Sequence, residues 1–157
     1  MSEISAKGIV IHDGAILVLY RNKRGEEYHT FPGGHIEAGE TNEEAAIREV
    51  SEETSVTVVP QKLLYRVAYG NESEQLYYFC EYIRGEPKLR DDSEEKVATD
   101  QGYSIYKPFW LPLSELPNVV LYPTEVRDAL LQGLKTGFSD GVQEFLITHH
   151  SVKKKDQ

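Results

Sequence analysis

The residues best suited to chemistry stand close together in the run Arg48-Glu49-Val50-Ser51-Glu52-Glu53. On an α-helix each residue advances about 100°, so Glu49, Glu52 and Glu53 share one face while Ile47 and Val50 point elsewhere. Like charges at this spacing repel, and each such pair costs an isolated helix about 0.2–0.5 kcal/mol. Arg48, four residues before Glu52, relieves part of that strain. A hard divalent cation would give the arrangement a purpose. Mg²⁺ and Mn²⁺ favour oxygen ligands, and Mg²⁺ is commonly held by a few carboxylates together with substrate phosphates and water. From the carboxylates alone, a solvated acidic face is the simpler reading. Gly33-Gly34 shifts the balance, because glycine lets backbone groups approach a metal or phosphate closely.

The elements that must position these residues are legible around them. Thr41 is placed to cap a helix, with Glu44 three residues on to complete a capping box. Good helix formers follow, and the helix is expected to run to about Thr54. Upstream, GIVIHDGAILVLYR reads as a hairpin turning at Asp13-Gly14, a pair that tolerates positive φ. RNKRGEEYHT reads as a polar loop leading to Phe31-Pro32-Gly33-Gly34. Downstream, KLLYRVAYG and QLYYFCEYI read as two strands joined by a turn, and their tyrosines (Tyr65, Tyr69, Tyr77, Tyr78, Tyr82) mostly as core or sheet-face packing, with one available to stack on a base. Residues 84–104 lack clear periodicity and read as a long loop, a feature often tied to function. A short strand lies within Tyr106 to Leu113. Pro123 opens a second helix with an apolar stripe of Val126, Leu130, Leu131 and Leu134, ending at Gly137. Phe138 to Thr148 fits either a terminal strand or a docked tail. The pattern implies one α/β unit over residues 1–157, with a mixed sheet between helices.

Composition removes some functions. The 157 residues are 39% hydrophobic and 27% charged, which argues against wholesale disorder. The formal net charge of −9 repels a nucleic-acid polymer at long range, yet a small phosphate substrate stays open because bound cations reverse the local field. No apolar run reaches the length of a membrane span, and MSEISAKGIV lacks the pattern of a signal peptide, so a cytoplasmic protein is expected. The single cysteine, Cys80, sits in a strand-like run and reads as a small buried hydrophobe. His149-His150 and Lys153 to Lys155 read as an exposed tail.

Taken with its flanks, GHIEAGETNEEAAIREVSEETSV resembles the box of the Nudix (MutT-like) hydrolase family, matching it at Gly34, Glu40, Arg48, Glu49, Val50, Glu52, Glu53 and Val56. Phe31-Pro32-Gly33-Gly34 is similar to the usual lead-in, and Trp110 to Leu116 to a segment that often follows the last core strand. The one departure is Ser55, where the family usually has glycine in a left-handed turn. The resemblance covers about residues 8–135 and implies a Nudix-type α/β/α sandwich around a mixed sheet.

It also implies roles. Glu49 and Glu53 would be the main ligands of Mg²⁺, for which Mn²⁺ substitutes, with Glu52 joining them or holding a metal-bound water and the Gly33 carbonyl as a further ligand. Arg48 would orient the glutamates, and Glu40 would brace the loop against the helix. Glu53 or a loop carboxylate would take the water proton, Glu94 and Glu95 standing where many family members carry an extra glutamate. Gly34 would face substrate; His29 and His35, from their place beside the Gly33-Gly34 loop, read either as phosphate contacts, His35 foremost, or as exposed loop histidines. The implied activity is pyrophosphohydrolysis of a nucleoside triphosphate or of a nucleoside diphosphate linked to another moiety. The alternative is a non-catalytic Nudix domain that senses a nucleotide metabolite. A homodimer stays open. The proline that often marks ADP-ribose hydrolases beyond the box is absent, as is the tyrosine typical of diadenosine-polyphosphate hydrolases.

Overall fold

The computed structural model describes residues 3–102 and 104–148, so the tail histidines and lysines lie outside the described residues. The chain opens with strand β1 (Glu3–His12), turns at Asp13-Gly14 and returns as β2 (Ala15–Lys23). Both turn residues have positive φ, 51° and 76°, as the Asp-Gly signal requires. A second tight turn at Arg24-Gly25 leads into β3 (Glu26–Thr30), so most of the expected polar loop is hairpin. Arg-Gly supplies the same positive φ without the Asn or Asp that usually announces it. There follow β4 (Gly33–His35), α1 (Asn42–Thr54), β5 (Thr57–Tyr69) and β6 (Ser73–Arg84).

Within the expected loop of residues 84–104 the chain forms a short helix, α2 (Glu94–Gln101). Ser93 caps it by accepting from the Lys96 N–H, and Gly102 ends it at φ 78°. It has no buried residue, and so carried no apolar stripe for periodicity to detect. Next come β7 (Ser104–Pro112), a 3₁₀ turn (Leu113–Asn118), β8 (Leu121–Tyr122), α3 (Thr124–Thr136) and β9 (Gln143–Ile147). The ambiguous segment after Phe138 therefore contains a strand, paired parallel to β5. In α3 the buried residues are Val126, Leu130 and Gly133; Leu134 is 40% exposed, correcting the expected stripe.

The sheet runs β8-β3-β2-β1-β6-β5-β9, with β4 added beside β1 and β7 beside β2. It is mixed, since β1–β6 is parallel and β5–β6 antiparallel. Alternation along the strands sorts side chains onto two faces. Ala6, Val10, Leu17, Leu76, Tyr78 and Cys80 pack with Ala45, Ala46 and Val50 of α1. Ile9, Ile16, Val18 and Tyr77 pack with Val126 and Leu130 of α3. This is the expected α/β/α sandwich. The β1–β2 hairpin is paired only at Ile11–Ile16 and His12–Ala15, beside its turn. Past those pairs β1 turns to β4 and β6 and β2 to β3, while β7 pairs β2 from Ala15 to Lys23. Side chains from both strands then line a common pocket, which becomes part of the site.

Candidate active site

Local sequence fixes the helix that carries the carboxylates. The capping box forms in full: the Thr41 hydroxyl accepts from the Glu44 N–H at 3.0 Å, and the Glu44 carboxylate accepts from the Thr41 N–H at 2.9 Å. Ala45, Ala46, Val50 and Thr54 anchor α1 to the sheet. Gly8 makes close approach possible, since a Cβ there would stand 2.9 Å from Val50 Cγ2.

Arg48 ties the cluster together. Its Nε and Nη2 donate to the two Glu40 oxygens at 2.6 and 3.0 Å, a bidentate pair. Nη1 donates to Glu49 Oε1 at 2.7 Å and to Glu52 Oε1 at 3.1 Å, and Nη2 also reaches the His35 carbonyl at 3.0 Å. The Arg48 hydrogen bonds, followed by the Glu37 backbone N–H, hold Glu40 down at a pKa of about 2. In return Glu40 first, then Glu49 and Glu52, keep the guanidinium charged.

Glu53 has a different environment. Burial pushes its carboxyl up to about 7, partly offset by Lys7 and by the Gly33 N–H, which donates to Oε1 at 2.8 Å. Glu49 and Glu95 add to the rise through their charge. The glycine pair serves two separate purposes. Gly33, at φ 149°, lies against β1, where a Cβ would meet the Ala6 carbonyl at 2.3 Å. At Gly34 a Cβ would stand 2.0 Å from Glu49 Oε2.

These carboxylates open onto a cavity of about 470 Å³. Glu49, Glu52 and Glu53 form one wall, and Arg90, Asp92, Ser93, Glu94 and Glu95 face them from α2 and the segment before it. Beside it lies a pocket of about 240 Å³, where Lys7 of β1 and Arg21 of β2 meet Phe31, Tyr69, Tyr77, Tyr106 and Tyr122. Glu53 and Glu95 line both spaces. Arg21 stacks over the Tyr106 ring at 3.8 Å and donates to Ser104 at 2.8 Å.

The donor set suits a hard cation: several carboxylate oxygens on one helix, with more on the facing arm and no thiol. Among the described residues, no three acidic, histidine or cysteine side chains converge closely enough to grip an ion as they stand. Arg48 engages Glu49 and Glu52, so an ion gathering these oxygens has to share or displace those bonds.

Glu40, Arg48, Glu49, Glu52, Glu53, Gly33 and Gly34 are thus in mutual contact or adjacent, with Glu94 and Glu95 opposite. The His35 ring goes elsewhere: it pairs with Glu3 at 3.7 Å in a separate depression, and only its carbonyl serves the cluster. His29 belongs to β3, where Nδ1 lies 3.2 Å from the Val120 carbonyl and burial lowers its pKa. Lys7, Arg21, Glu37, Arg90, Asp92 and Tyr106 were not evident from the sequence. A lone lysine inside the apolar run Ala6 to Val10 was the one available hint.

The chain as a whole has similar counterparts among known proteins. A family model described as a NUDIX domain matches residues 3–130. The putative mutator protein MutT4 of Mycobacterium tuberculosis is 32% identical over 159 positions, covering 88% of this chain and 58% of that protein. The ADP-ribose pyrophosphatase of Methanocaldococcus jannaschii is 32% identical over 103 positions, covering 62% of this chain and 61% of its own length. This chain therefore spans about three fifths of either relative. A solved NUDIX hydrolase from Nitrosomonas europaea superposes with a TM-score of 0.74 at 15% identity, covering 94% of this chain and 80% of that one. At that identity the likeness is one of fold.

Proposed function

The chain belongs to the Nudix hydrolase family, and from that premise we propose that it is a Mg²⁺- or Mn²⁺-dependent pyrophosphohydrolase. Its substrate is a nucleoside triphosphate or a nucleoside diphosphate linked to another moiety. One juxtaposition supports the reading: Glu53 and Glu95 line both the acidic cavity and the aromatic pocket holding Lys7 and Arg21. A molecule with a polyphosphate at one end and a flat ring at the other meets complementary surfaces on the two sides of Glu53.

Glu49 and Glu53, joined by Glu52 and the Gly33 carbonyl, would hold the ion. When bound, a divalent cation neutralises phosphate oxygens as charge builds and acidifies water. The chain's own residues do the rest. Glu40 locks Arg48, and Arg48 in turn fixes Glu49 and Glu52. Gly34, having no side chain, leaves room above Glu49. The Gly33 N–H takes one lone pair of Glu53 Oε1; the carboxylate keeps lone pairs both for the ion it would help hold and, at Oε2, for a water proton. As water adds to phosphorus, that proton passes to Oε2 and the bridging P–O bond breaks, releasing a phosphate-terminated leaving group. Lys7 and Arg21 place positive charge beside the departing half, where a tyrosine face can stack on a base.

The test is Glu53→Gln, assayed with Mg²⁺ against a panel of nucleotides and nucleotide sugars, with products identified by mass. Loss of a general base lowers turnover about 10²- to 10⁴-fold while the fold persists. A variant that keeps near-wild-type turnover on the best panel member would overturn the assignment.

A further inference from the structure

Ser55 ends α1 at φ 65°, a left-handed conformation that costs a residue with a Cβ about 1 kcal/mol or more. Its hydroxyl donates to the Lys88 carbonyl at 2.7 Å. The Lys88 N–H in turn donates to the Thr54 carbonyl at 2.9 Å, satisfying a group left open at the helix end. Lys88 is thus held on both sides by the end of the catalytic helix. Gly85, at φ 108°, lets the chain enter this contact, since a Cβ there would stand 2.5 Å from the Ser55 carbonyl.

Beyond Lys88 the chain carries Glu94 and Glu95 across the acidic cavity. Four residues, 89–92, separate Lys88 from the Ser93 cap and can span about 13–14 Å, enough to lose register with the opposite wall. The α2 helix has no fully buried side chain; half-buried Glu95, Lys96, Ala98 and Thr99 rest it lightly on β7. Its downstream anchor is the Tyr106 N–H donating to Thr99 Oγ1 at 2.9 Å. The upstream anchor is Lys88.

We infer that Ser55 is a positioning residue: its hydroxyl turns a one-point contact at Lys88 into a two-point clamp that holds Glu94 and Glu95 opposite Glu49, Glu52 and Glu53. Its effect on ion binding rests on the hydrolase reading above, whereas the clamp itself does not. Turn geometry and clamp make opposite demands on this position. Glycine would relieve the left-handed strain and lose the donor. Asparagine tolerates the left-handed region and supplies an N–H donor.

The experiment compares wild type, Ser55→Gly and Ser55→Asn by hydrogen–deuterium exchange over residues 93–102, by thermal melting, and by calorimetric titration with Mn²⁺ alone. Ser55→Gly is expected to melt at the same temperature or higher while exchange over the segment rises about three- to tenfold, the worth of one hydrogen bond. Its Mn²⁺ affinity falls by a similar factor, and Ser55→Asn restores both. Equal exchange in all three proteins overturns the clamp. Faster exchange with unchanged Mn²⁺ affinity overturns the positioning role. Wild-type protein that binds no Mn²⁺ instead refutes the hydrolase reading, leaving the clamp to be judged by exchange.

Discussion

Replacing Glu53 by glutamine should stabilise the metal-free protein, and the gain should depend on pH in a defined way. The Glu53 carboxyl titrates at about 7 in the fold, against 4.5 ordinarily, chiefly because burial strips its charged form of water. A carboxyl raised in the folded state contributes fully below its unfolded value and loses that contribution as pH rises through the folded one. The window is therefore about pH 4.5 to 7. Each unit is about 1.4 kcal/mol, so above pH 7 the wild type carries a cost of about 3 kcal/mol. Glutamine keeps the shape and still accepts the Gly33 N–H through Oε1, yet never ionises. Urea melts in chelator should give nearly equal stabilities at about pH 4, diverging to about 3 kcal/mol in favour of the variant above pH 7. Groups common to both proteins cancel in the difference. A divalent cation at about one hundred times its dissociation constant returns about 2.7 kcal/mol to the wild type and much less to the variant. Parallel pH profiles without metal would refute the claim that this carboxylate is held in a desolvated place.

The glycine pair should separate structure from site. Gly33→Ala forces a Cβ against the Ala6 backbone at a positive φ, so a loss of about 2–4 kcal/mol is expected in denaturant melts. Gly34→Ala meets only the flexible end of Glu49, so stability should change by less than about 1 kcal/mol while Mn²⁺ affinity falls about tenfold in calorimetry. Arg48→Lys keeps a charge but loses the fork on Glu40, with an expected cost of about 1–3 kcal/mol by urea melting. Cys80 is buried with its thiol pushed up to about 12, so a thiol reagent at neutral pH should label it only after urea is added.

What the sequence determined by itself was local and strongly signalled. Thr41 and Glu44 set the start of α1, the spacing of Glu49, Glu52 and Glu53 set their shared face, and Asp13-Gly14 set the first turn. Each depends on residues within a few positions of one another, and there side-chain type limits backbone geometry directly. The Arg24-Gly25 hairpin and α2 escaped because neither carries the usual signal: the turn lacks Asn or Asp, and the helix buries no stripe. Only the tertiary structure decided which distant residues share the site. Lys7 and Arg21 meet because the first hairpin splays beyond Ile11–Ile16, and Glu95 reaches Glu53 because Lys88 is pinned to the end of α1. Such meetings are set by strand pairing and chain closure across many residues, and no short window of sequence encodes them.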